Sequence, residues 1–110
     1  MIDAQVWRED LGLVLGRLAS TSEEQNQYLA ELGVAGSLDE LALEFDDRYR
    51  PLASVLELLP RGPETLRQLQ AVDGALKSET LGWGFEDIGS REWVANRVLA
   101  QRAREALARL

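Results

Sequence analysis

Apolar positions along this chain recur at steps of three and four, the period that turns one stripe of an α-helix towards a core. The longest run is SLDELALEFDDRYRPLASVLELL, residues 37–59, with Leu38, Leu41, Ala42, Phe45, Tyr49, Leu52, Leu56 and Leu59 in phase. Ser37 is placed as its N-cap with Glu40 at N3. Pro51 lacks the amide that would bond residue 47, yet the apolar phase runs through it. The stretch is therefore expected to be a kinked helix or two nearly continuous ones.

Other helices are predicted on either side. Asp3 can cap a first one, whose stripe is Trp7, Leu11, Val14, Leu15 and Leu18. Gly12 and Gly16 lie four apart in it, a spacing that would let another helix approach closely. STSEEQ then offers a capping box, Thr21 with Glu24 or Ser22 with Gln25. That helix runs through Tyr28, Leu29 and Leu32 to Gly33 as its C′ residue, with Val34 placed for the accompanying apolar contact. Pro60-Arg61-Gly62-Pro63 reads as a turn that puts Pro63 at N1 of a helix built on Leu66, Leu69, Val72 and Leu76, ending near Ser78 to Thr80. In LGWGFEDIGS, Leu81, Trp83 and Phe85 alternate as in an extended strip with one apolar edge. Ser90 caps a last helix to Leu110, with Trp93, Leu99, Ala103, Ala106 and Leu110 inside and Arg91, Arg97, Arg102, Arg104 and Arg109 outside. The pattern predicts an all-α protein: residues 1–110 as one domain, an irregular bundle of four or five helices.

Composition agrees. A chain of 110 residues, 45% hydrophobic and 28% charged, can bury a core of its own. It has no cysteine, so no disulfide or thiolate chemistry is expected. MIDAQVWRED lacks the pattern of a signal peptide, and no window approaches the roughly 18 apolar residues of a membrane span. A cytoplasmic location is the expectation. Eleven of the twelve bases are arginine, a bias that goes with a GC-rich bacterial genome.

Charge changes the picture more. The net charge is −7, and residues 1–60 carry twelve acids against four bases, whereas residues 61–110 carry seven against eight. An acidic half argues against nucleic acid and anionic membranes as partners and for a protein with a basic surface.

The candidate chemistry is sparse. Without histidine or cysteine the chain lacks the commonest general base, the soft metal ligands and the thiol nucleophile, so an enzyme is not expected. Glu40, Glu44 and Asp47 share a helical stripe, but FDDRYRP lacks the alternating acids and glycine of a calcium loop. Neither a metal site nor a cofactor site is expected.

One surface feature looks like a docking point. Leu43 sits on the outer face of the central helix, and its neighbours three and four positions away, Asp39, Glu40, Asp46 and Asp47, are all acids. Helical pairs Glu44–Arg48 and Asp46–Arg50 would account for some of this charge, but Glu40 and Glu44 repel at that spacing, and no pairing accounts for Leu43. The strip Trp83–Phe85 reads either as a plug closing the core or as an aromatic anchor at an interface. The expected partner-binding residues are thus Asp39, Glu40, Leu43, Glu44, Asp46, Asp47, Trp83 and Phe85. The expected function is a binding protein that neutralises a basic protein partner, as immunity proteins and antitoxins do. A regulatory or adaptor bundle and a structural homo-oligomer, a homodimer for example, are the alternatives.

Overall fold

The computed structural model describes residues 4–34, 38–77 and 88–110. Asp3, Ser37 and the strip Leu81, Trp83 and Phe85 lie outside the described residues. Those described form helices α1 (Ala4–Ala19), α2 (Ser22–Glu31), α3 (Asp39–Tyr49), α4 (Ala53–Leu56), α5 (Gly62–Leu76) and α6 (Arg91–Ala108), with a 3₁₀ turn, Arg50–Leu52, joining α3 to α4. No strand occurs among the described residues. Taking α3, the 3₁₀ turn and α4 as one bent rod gives five, so the all-α bundle expected from the pattern is the fold.

Local signals explain most of the boundaries. Thr21 caps α2 through its side chain and forms the box with Glu24, so the first of the two alternatives is the one realised. At the other end Gly33 takes φ +79°, where a β-carbon would be strained. Val34 N–H donates to Leu29 O and Gly33 N–H to Ala30 O, the paired bonds of a Schellman ending, and Val34 packs on the core as expected. At Pro51 the backbone stays right-handed and tightens to 3₁₀, which keeps Tyr49, Leu52 and Leu56 on one buried side. Ser90 Oγ accepts from Trp93 N–H at 3.1 Å and starts α6.

The helix α1 packs on α6 and α3, α6 packs on α5, and α5 returns to α3 and α4, which closes a ring around the core. Into it point the stripes Trp7, Leu11, Val14, Leu15, Leu18; Leu38, Leu41, Phe45, Tyr49, Leu52, Leu56; and Leu66, Leu69, Val72, Leu76, all buried. Phe45 and Tyr49 stack with centroids 5.2 Å apart. Each fully buried large apolar side chain contributes roughly 1.5–3 kcal/mol.

The last helix departs from the expected phase. Its buried face is Trp93, Asn96, Ala100, Ala103, Ala106 and Leu107, while Leu99 and Leu110 are only partly buried. Arg97, expected outside, is half-buried and donates to Ser22 Oγ, to Ile88 O at 2.9 Å and to Gln25 Oε1 at 3.4 Å. Burial holds its pKa below the ordinary arginine value. The side chain reaches back across the N-terminus of α2, which a helical wheel of α6 alone cannot reveal. Leu32 is exposed, because α2 is a short brace that buries only Gln25 and Leu29. The α6 helix does cross α1 at Gly12 and Gly16. A β-carbon at Gly12 would meet Leu107 Cδ2 at 3.9 Å and one at Gly16 the Arg104 guanidinium at 3.4 Å, so the crossing does not require glycine.

Candidate functional site

The outer face of α3 follows from its inner one. With Leu41, Phe45 and Tyr49 fixed against the core, Leu43 must point away, and it is 55% exposed. Exposure alone does not set it apart, since Val6, Leu13, Leu32, Leu58, Val94 and Val98 are exposed as well. Its surroundings do. Where α3 meets the end of α5, a groove of about 320 Å³ is lined by Ala42, Leu43, Phe45 and Leu76 and edged by Asp39, Asp46, Asp73 and Lys77. Three carboxylates from two helices thus stand around an apolar floor.

Lys77 shows what this edge accommodates. Its ammonium lies 3.2 Å from Asp73 and 3.8 Å from Asp46, and Asp46 also takes the Arg50 guanidinium at 3.0 Å, one helical turn on. The Asp46–Arg50 pair is the one expected from spacing, and its hydrogen bond and charge raise the Arg50 pKa. Exposed pairs of this kind are screened by solvent and add little to stability.

Glu44 behaves otherwise. The expected pair with Arg48 is replaced by contacts to two other helices. Arg17 Nη1 of α1 donates to Glu44 Oε1 at 3.4 Å, and the Tyr28 hydroxyl of α2 donates to Oε2. The Arg17 guanidinium also sits 4.2 Å above the Tyr28 ring. Burial first, and then the bond to Glu44, raises the Tyr28 pKa. Glu44 therefore ties α1, α2 and α3 together beneath the acidic face. Glu40 and Asp39 are partly exposed and Asp47 is exposed.

The structure thus brings Asp39, Leu43 and Asp46 to one groove, leaves Glu40 and Asp47 outside its lining on the same helix, Asp47 in a cleft with Trp7 and Asp10 of α1, and turns Glu44 inward. Trp83 and Phe85 lie outside the described residues. Sequence reasoning missed Asp73 and Lys77. Their spacing next to the core positions Val72 and Leu76 marks them as flanking a buried stripe, but only the α3–α5 contact says that the stripe borders Leu43. Among the described residues no group of three histidines, cysteines or carboxylates is arranged to hold a metal ion, and no helix is long and apolar enough to cross a membrane.

Comparison with protein-family models, with curated proteins and with solved structures finds no match to this chain. What the fold and the groove define is a class: an all-α bundle with an acid-edged apolar groove between two of its helices.

Proposed function

We propose that the chain is a binding protein that takes a basic protein partner on the α3–α5 groove and neutralises or holds it there, in the manner of an immunity protein or antitoxin. The observation that carries this reading is the groove's own lysine. Asp46 and Asp73 already share an ammonium at the lip of an apolar floor, so the site suits a long cationic side chain whose stem lies on Ala42, Leu43 and Leu76. Asp47 and Glu40 extend the acidic field along α3. Rim charges act mainly on association, and a desolvated apolar anchor acts mainly on dissociation.

A photo-crosslinking residue placed at Leu43, with the more exposed Leu58 as a control, should capture a basic protein from the first position only. Against that protein, Glu40→Lys with Asp47→Lys should slow association, as raised salt should. Leu43→Ala should leave association nearly intact and weaken binding by about 2 kcal/mol through faster dissociation. Both variants should melt as the parent does. Association indifferent to salt and to both charge reversals, or normal binding by Leu43→Ala, would reject the groove as the docking site.

A further inference from the structure

At the end of the bundle where α4 passes into α5, a second cleft of about 310 Å³ is lined by Arg8, Leu59, Pro60, Arg61, Arg109 and Leu110. We propose that this cleft binds a small organic phosphate, the phosphoryl group held by Arg8, Arg61 and Arg109 and the organic part resting on Leu59, Pro60 and Leu110. In a protein of net charge −7, three arginines converge here from α1, from the turn before α5 and from the end of α6. Arg17, Arg50 and Lys77 all find carboxylates, but among the described residues none of these three lies within ion-pair distance of one. Local acids do not answer them. Glu105, one turn before Arg109, accepts from Gln101 instead, and Glu64 in the first turn of α5 makes no ion pair with Arg61. Arg8 also keeps its Nε out of solvent without a partner among the described residues.

The position of Arg61 is the least expected feature. It precedes α5 with φ 58° and ψ 0°, and no side-chain cap bond accompanies it. This left-handed conformation is one that glycine takes freely and a residue with a β-carbon rarely does. The turn leaves no freedom to relax it, because Gly62 packs against the Leu56 carbonyl and its amide is bonded to Leu59 O at 2.9 Å. An arginine held there at a conformational cost, beside two others, is accounted for by what its guanidinium does. Arg109 alone has a simpler role, since a cation suits the C-terminal end of a helix; that explains neither Arg61 nor Arg8. Guanidinium forks match phosphoryl oxygens in pairs. The ligand must be small, because a duplex or an anionic bilayer would meet the field of the whole acidic protein, whereas an ion inside the cleft lies within a screening length, about 8 Å, of the arginines that line it.

The test uses phenyl phosphate in calorimetric titration at constant ionic strength, with inorganic phosphate and phosphatidylglycerol vesicles as further arms. Saturable binding of phenyl phosphate is expected, tighter than that of inorganic phosphate, with none to vesicles. Arg61→Gly and Arg109→Gln should each weaken it at least about tenfold, the equivalent of one charge-assisted hydrogen bond. Arg61→Gly should melt no lower than the parent without ligand, which separates loss of binding from loss of fold. Absence of saturable binding, binding unchanged in both variants, equal affinity for inorganic phosphate, or attachment to vesicles would each overturn the assignment.

Discussion

Replacing Gln25 by leucine should cost far more than its place on a short surface helix suggests. Gln25 is 1% exposed and uses both ends of its amide. Its Nε2 donates to the carbonyls of Arg17 at 3.0 Å and Leu18 at 3.1 Å, two of the last acceptors of α1, which have no partner within that helix. Its Oε1 accepts from Trp93 Nε1 at 2.9 Å and from Arg97 at 3.4 Å. One side chain of α2 thus closes the C-terminus of α1 and fastens it to the start of α6. Each bond contributes a net of about 0.5–1.5 kcal/mol, and the one at 3.4 Å adds least. Leu18 O loses the side-chain donor it now has in a buried place, while Arg17 O keeps Ser20 N–H at 3.2 Å and Ser20 Oγ at 2.6 Å. The expected loss is about 3 kcal/mol, a large part of the ~5–15 kcal/mol that a domain usually has. At this size that lowers Tm by roughly 12 °C. Urea unfolding should show a lower midpoint at unchanged slope. Trp93→Phe removes the indole donor, so combining it with Gln25→Leu should cost about 1 kcal/mol less than the sum of the two. A loss below about 1 kcal/mol for Gln25→Leu, or strict additivity in the cycle, would refute the bridging role.

Four further outcomes are expected. Gly62→Ala should unfold the turn or cost several kcal/mol, on the order of the largest single-site effects, because its β-carbon would stand 1.6 Å from Leu56 O. Gly12→Ala and Gly74→Ala, which meet nothing closer than 3.9 Å, should instead stabilise by about 0.5–1 kcal/mol, read from urea midpoints. The chain has two tyrosines, and burial raises both phenols above 10.0, Tyr28 further through Glu44 and Tyr49 through Asp73. The stability they contribute is fully present below pH 10.0 and is lost as pH rises through their folded values. An absorbance titration in which either phenol ionises at the ordinary value would contradict this. Asn96 is 1% exposed with neither amide atom bonded among the described residues, so Asn96→Leu, which keeps the branch at Cγ, should stabilise by about 1 kcal/mol or more; a lower Tm would show that the amide is held by a partner.

How much could be read in advance divides along a physical line. Helices whose inner faces are leucine, phenylalanine and tryptophan were legible: the stripes of α1, α3 and α5 are buried as the spacing requires, and Pro51 bends the central rod without changing its phase. Leu43 was legible for the same reason, because a known inner face determines the outer one. What pairwise spacing could not give was any choice between a partner on the same helix and one on another. Arg48 lies one turn from Glu44, yet Glu44 turns to Arg17 and Tyr28, and only the packing of α1 and α2 against α3 supplies those groups. Gln25 looked like half of an alternative capping box, and it is instead the buried bridge.

The α6 helix shows where hydrophobicity itself misleads. Positions 93, 96, 100, 103 and 107 follow steps of three and four, so the true face was present in the sequence as a period. Its occupants are a tryptophan, an asparagine, two alanines and a leucine, whereas Val94 and Val98, more apolar than most of them, lie outside. A stripe chosen by apolarity drifts towards Leu99 and Leu110. A stripe chosen by size stays on the alanines, because α6 lies against both α1 and α5 and small side chains are what a helix between two neighbours can turn inward. The polar groups on that helix follow the same constraint. Arg97, one position past Asn96, escapes the crowded seam by reaching across the N-terminus of α2, and there it meets Gln25. The tie between α1, α2 and α6 is therefore set by where the bundle has no room for large side chains, and that is a property of three helices together.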